Sequence, residues 1–156
     1  MFTGRLVGIY TTTEAAAPLA PSTELRAIEG VGLEGDRYAT QIGTYSGREG
    51  ADRQVTFVER EVIAAVNDEA GVELAEHETR RNLVTEGVPL HHLVGRTFRV
   101  GDVVFRGLRS CPPCAYLEKA TRPGVRAALE NRGGLRAEIV HGGTLRIGDE
   151  ISAVPG

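Results

Sequence analysis

Apolar residues in this chain recur mostly at strand spacing, in short runs cut off by glycine or other turn residues. Six runs predict strands: Arg5 to Tyr10, Gln54 to Val58, Thr97 to Val100, Val103 to Leu108, Ala137 to Val140 and Glu150 to Val154. Helical spacing is confined to two stretches. Between Glu59 and Ala70 the residues Val62, Ile63, Ala65 and Val66 follow the helical period, and Gly71 supplies a stop. A second helix is predicted to carry Pro123 in its first turn, run through Val125, Ala128 and Leu129, and end at Gly133 and Gly134. Many short strands and few helices predict a mainly β fold, a barrel with short helices at its margins.

One segment is repeated: GRTFRVGD at Gly95 to Asp102 returns as GGTLRIGD at Gly142 to Asp149, each copy followed by another β-type run. Gly-Asp after a strand is turn chemistry, because Gly101 and Gly148 adopt backbone angles that other residues resist, so both copies predict hairpins. The stretch from Ala20 to Ala51 differs, being rich in Gly, Thr, Ser and charge around GVGLEGDRY, and reads as one long functional loop. It has neither the Lys-Ser/Thr of a P-loop nor the strand-to-helix setting of a dinucleotide fingerprint. What remains for it is contact between backbone amides and an anion.

Length and charge narrow the function. The 156 residues suit a single domain spanning 1–156, able to bury roughly two thirds of its unfolded surface. The N-terminal stretch has neither a basic head nor a continuous apolar run, so no signal peptide or membrane span is expected, and a cytoplasmic protein with reduced thiols is. A net charge of −3 argues against general nucleic-acid binding. Lys119 is the only lysine among 18 basic residues; the bias toward arginine reads first as codon usage, although arginine forks bind phosphate bidentately.

Candidate chemistry gathers at Cys111 and Cys114, the only cysteines, in GLRSCPPCAYLEK. A CxxC serves redox exchange, a metal or a reactive thiol, and each requires different company. Zinc has the right ligand count if His91 and His92 join the cysteines, but adjacent histidines point apart and here precede the cysteines, the reverse of the usual finger order. A thioredoxin-type pair expects alternating strands and helices, which are missing. A reactive thiol is favoured by nearby positive charge and a helix start, and Arg106, Arg109, Lys119 and a helical turn at Ala115 to Ala120 meet that description. If both sulfurs are inert, the chain is a non-catalytic barrel holding an anion or a partner through the Gly32 to Arg53 loop.

Taken in order, GVGLEGDRY, RQVTFVERE, TRRNLVTEGV, LVGRTFRVGD, GLRSCPPCAYLE and GGTLRIGDEI resemble the MOSC domain family, named for the C-terminal part of molybdenum cofactor sulfurases. The resemblance spans nearly the whole chain and implies a β-barrel with chemistry on one cysteine. Cys114, in its PC dipeptide, stands at the family's cysteine, and Cys111 is an addition. In one branch of the family this cysteine ligates the molybdenum of a pterin cofactor (molybdopterin), making Cys114 the metal ligand of a reductase component. The Arg-x-Asn that contacts this cofactor falls on Arg80 and Asn82; Arg81 and Arg53 offer further phosphate contacts, and Gln54 another amide. Small stand-alone members are instead taken as sulfur carriers, with a persulfide on the cysteine. Cys111 then attacks Cys114 to release the sulfur, in a sulfurtransferase-like role. The implied partner is a sulfur donor or a molybdenum-cofactor protein. Three departures favour the carrier or unsettle the match: Tyr38 stands where the family usually has His, no companion β-barrel domain is seen, and Pro112 stands where a small polar residue can occur.

Overall fold

The computed structural model describes residues 2–14, 16–37, 39, 54–113 and 115–155; Tyr38, Arg53 and Cys114 lie outside the described residues. Strand β1 (Thr3–Thr11) is the keystone. It pairs antiparallel with β6 (Leu83–Glu86) on one side and with β11 (Glu150–Ala153) on the other, and the second pairing closes a seven-strand barrel. From β11 the barrel continues through β7 (Thr97–Val100), β8 (Val103–Ser110), β9 (Leu135–His141) and β5 (Val55–Glu59) back to β6. Strand β2 (Ala20–Ser22) adds to β1, while β3 (Glu24–Ile28), β4 (Gly32–Leu33) and β10 (Gly143–Arg146) form a separate three-stranded sheet. The barrel with short helices at its margins, expected from the strand spacing, is therefore present.

The predicted runs map closely onto strands because each has a face that the barrel buries. Phe57, Phe98 and Phe105, from three strands, meet at its centre with ring centroids 5.1–5.6 Å apart. Such edge and stacked contacts add to the area burial of the rings. In β1, Leu6 and Ile9 both join the barrel core despite odd spacing, because the register against β6 shifts between Leu6 and Gly8. A bulge there lets Val7 and Tyr10 pack outward beside Val58, Ile63 and Val84.

Strands β5 and β6 are parallel, joined by helix α1 (Arg60–Ala70), whose C-cap Gly71 is left-handed as its position predicts. Covered by α1 outside and by the core within, Val55 to Val58 are all buried, as expected of a parallel strand. Two further helices, α2 (Ala115–Ala120) and α3 (Val125–Ala128), pack on α1 through Val66, Leu74, Leu117, Val125 and Leu129. The predicted second helix is thus shorter than expected. Asn131, at φ 65°, turns the chain out of helical geometry before Gly133.

Two other expectations are corrected. The first GRTFRVGD copy is a tight hairpin, Val100 opposite Val103, but GGTLRIGD is not: β10 pairs with β3 while β11 pairs with β7 and β1. Its Gly-Asp turn hands the chain from one sheet to the other, with Gly148 N–H donating to Leu6 and Leu6 N–H to Asp149. The stretch read as one long loop holds β2, β3 and β4 in its first half. Short strands with little apolar alternation gave no period to detect. No described helix is long and apolar enough to cross a membrane.

Candidate functional site at the cysteine loop

Strand β8 ends at Ser110, and Cys111 extends its ladder by one bond, its N–H donating to the Gly134 carbonyl at 2.8 Å. In the CPPC segment Cys111 is buried and Pro112 exposed. Two prolines supply no N–H groups, so the loop is fixed through its carbonyls. Arg81 does this: Nε donates to Gly133 O at 2.8 Å, and one terminal nitrogen donates to Cys111 O at 3.1 Å and Pro112 O at 3.2 Å. One buried guanidinium thereby ties the cysteine loop to the loop before β9. Gly133 permits this approach, because a β-carbon there would collide with the Cys111 carbonyl.

Arg81 can reach because of its neighbours. Arg80 follows the 3-10 turn Glu76–Thr79 in the left-handed region, φ 60°, and the Arg81 N–H donates to Thr79 Oγ1 at 3.3 Å. Arg80 turns the other way. It donates to Ala17 O at 2.8 Å and borders a cavity of about 170 Å³ with His77, Glu78 and Thr121.

Asn82 is fully buried in the seam between β1, β5 and β6. Its Oδ1 accepts from Thr56 N at 3.1 Å and Thr56 Oγ1 at 3.2 Å, and its Nδ2 donates to Tyr10 O at 3.1 Å. The Tyr10 N–H in turn donates to Asn82 O at 2.7 Å. Gln54 is equally internal, its Oε1 accepting from Ile139 N at 2.8 Å. Asp36 and Arg37, in the GVGLEGDRY segment, form a buried ion pair at 3.3 Å. Their backbone amides donate to Leu33 and Thr12, so these two amides are committed to the fold rather than offered to an anion.

On the other side of Cys111 lies a cavity of about 120 Å³ whose wall includes Glu59, His91, Ser110, Cys111, Pro112 and Arg132. Glu59 is the residue that sequence reasoning missed, having read it only as a helix start. Burial pushes its carboxyl above the ordinary carboxylate range and Glu61 adds to this, against the Leu90 amide and His91. The His91 ring packs against His92, centroids 4.1 Å apart. Among the described residues no group of three or more His, Cys, Asp or Glu is arranged to hold a metal.

These positions test the cofactor directly. Of the four described residues assigned to molybdopterin, Asn82 spends its amide on strand β5 and the Tyr10 carbonyl, Gln54 gives its Oε1 to Ile139, and Arg81 commits Nε and one terminal nitrogen to the cysteine loop, so none of these groups is offered to the cofactor. Arg80 reaches a cavity, but one below the roughly 300 Å³ at which ligand pockets usually begin. Cys114 and Arg53 fall outside the described residues.

No curated protein sequence matches the chain. Among solved structures, the YuaD protein of Bacillus subtilis superposes with a TM-score of 0.79 at 18% identity, covering 97% of each chain. YiiM of Geobacillus stearothermophilus follows at 0.73 and 14%, over 97% of this chain and 75% of that one. For YiiM of Escherichia coli the values are 0.69 and 20%, over 97% and 70%. Identities this low establish the fold alone. The family model described as "MOSC domain" matches residues 41–152, a span that takes in Asn82, the cysteine loop and six of the seven barrel strands, and by that match this chain belongs to the MOSC domain family.

Proposed function

We propose that this MOSC domain is a cysteine-based sulfur carrier of the cytoplasm, holding sulfane sulfur as a persulfide on Cys114. The observation that carries this reading is the Arg81 clamp on the carbonyls of Cys111 and Pro112, which fixes the proline-bridged loop at the barrel rim. A fixed loop favours exchange between thiols, because less order must be imposed when the donor docks. The thiolate of Cys114 attacks the outer sulfur of a donor persulfide; the Cys114 S–S bond forms as the donor S–S bond breaks, and the donor leaves as its thiolate. No external oxidant is needed. Discharge follows if Cys111 attacks the inner sulfur of the persulfide, giving a Cys111–Cys114 disulfide and hydrosulfide, with a dithiol reductant restoring both thiols. Molybdopterin takes no part in this scheme, given how Arg81 and Asn82 are used.

The test is intact-mass spectrometry of Cys111→Ala protein, in which Cys114 is the only thiol, after incubation with glutathione persulfide. One added sulfur, removed by dithiothreitol, is expected. Protein that takes up no sulfur but carries molybdenum and a pterin mass when purified from a molybdenum-replete host overturns the carrier in favour of a cofactor enzyme. With neither adduct, the domain is a binding module.

A further inference from the structure

The turn Glu76–Thr79 and the two residues after it grip the cysteine segment at both ends. On the strand side, Arg81 holds the carbonyls of Cys111 and Pro112. On the helix side, Arg122, just beyond α2, sends one terminal nitrogen to Glu78, at 3.0 Å from Oε2 and 3.3 Å from Oε1. Glu78 is itself fixed, since its Oε1 accepts the Ala75 N–H at 2.9 Å. The other terminal nitrogen of Arg122 is buried with no hydrogen-bond partner among the described residues, so the compensation of this cation falls to the Glu78 carboxylate. Thr79 ties the turn together, its Oγ1 donating to Glu76 O at 2.8 Å and accepting the Arg81 N–H.

The segment between the two grips depends on them. Helix α2 has six residues, too few to be stable alone. Leu117 buries it against Val66, Leu74, Val125 and Leu129, but apolar burial is non-directional and does not fix how the helix is turned. Directional bonds do. Thr121 Oγ1 donates to Leu117 O at 2.7 Å, Glu118 Oε1 accepts from Gly124 N at 2.9 Å and Arg126 N at 3.3 Å, and Arg122 ties the end of the segment to the turn. In sequence, Cys114 immediately precedes α2.

We propose that Glu78 and Arg122 are positioning residues for Cys114, and that with Arg81 they make residues 76–81 a clasp closed on both ends of the segment that carries this thiol. The proposal rests on the sulfur-carrier reading, which says what the thiol attacks; the clasp sets the direction of attack. Transfer requires the thiolate and the two donor sulfurs to lie in line, and small misplacements slow such a step steeply. Glu78 and Arg122 act through α2 rather than on the reacting sulfurs. No bond forms or breaks at the pair, so loading keeps the balance already given.

The experiment uses Cys111→Ala protein, in which Cys114 is the only thiol. Arg122→Gln is expected to slow loading by glutathione persulfide about tenfold, while alkylation by iodoacetamide, a small electrophile that needs no docked orientation, changes less than about twofold. Arg122→Lys, which keeps the charge, recovers part of the loading rate. Glu78→Gln produces a similar loss, and the double variant loads no more slowly than either single, as residues acting as one unit do. Hydrogen exchange supplies a readout that involves no sulfur: the amides of α2 exchange about fivefold faster in Arg122→Gln, whereas the residue 111 amide, bonded to Gly134, is unchanged. Equal slowing of loading and alkylation, additive losses, or α2 exchange at the wild-type rate each overturns the clasp. Should Arg122→Gln fail to fold, Arg122→Lys decides by the same comparison of donor with alkylator. If Cys114 takes up no sulfur even with the pair intact, the carrier reading fails and α2 exchange alone judges the clasp, so the two fail separately.

Discussion

Two consecutive residues of this chain, Arg81 and Asn82, do opposite work. Asn82 faces into the seam where β1, β5 and β6 meet, and its amide is consumed by Thr56 and Tyr10. Arg81 faces the rim and spends its guanidinium on carbonyls of loops that carry no regular hydrogen-bonding pattern. Both lie in the bend between the Glu76–Thr79 turn and β6, so one short segment serves both regions. In the seam the Asn82 amide is fully used. At the rim, polar side chains border open space beside a thiol, and chemistry becomes available there. The Arg-x-Asn spelling at Arg80 and Asn82 is present here with its Asn built into the barrel.

Breaking the seam has the largest expected effect. Asn82→Ala strands the Thr56 N–H and the Tyr10 carbonyl in the interior, at a cost on the order of 3 kcal/mol, read as a fall in melting temperature of roughly 10 °C. A smaller loss would mean that water or a neighbour replaces the amide. Breaking the rim costs less but changes reactivity. Arg81→Lys loses the planar fork and about 2 kcal/mol, and faster maleimide labelling of Cys111 than in wild type is expected as the loop loosens; unchanged labelling would show that Gly133 and the ladder bond hold the loop without the clamp.

Tyr10 sharpens the contrast through pH. Its hydroxyl donates to Glu76 at 2.8 Å, and burial, with Glu76 beside it, raises the phenol from 10.0 to about 12. The fold thus favours the neutral phenol: the stabilisation is fully present below pH 10 and is lost as pH rises through 12. Tyr10→Phe should lower stability by about 1 kcal/mol at neutral pH and flatten the alkaline decline in a denaturant series. Glu59 gives the smallest effect on stability. Its raised carboxyl favours the protonated form, so its contribution is present below the ordinary value of 4.5 and lost as pH rises through the folded value. Glu59→Gln is accordingly expected to melt no lower than wild type at neutral pH, and a clear drop in melting temperature would show that the carboxylate itself supports the fold.

The amino-acid sequence by itself determined the barrel strands, the stop at Gly71, the RVGD hairpin and the family, because these depend on local period, on glycine's backbone freedom and on motif order along the chain. The cysteine loop was legible too, through two sulfurs and two prolines in a row. Only the tertiary structure decided that GGTLRIGD passes between sheets rather than folding back, since the pairing of β10 with β3 and of β11 with β1 joins residues more than a hundred positions apart. The same holds for the site. Whether Asn82 points into a seam, Arg81 onto a carbonyl 30 residues away, or Glu59 lines a cavity beside the cysteine loop is set by which strands become neighbours, and long-range pairing leaves no periodic trace in sequence.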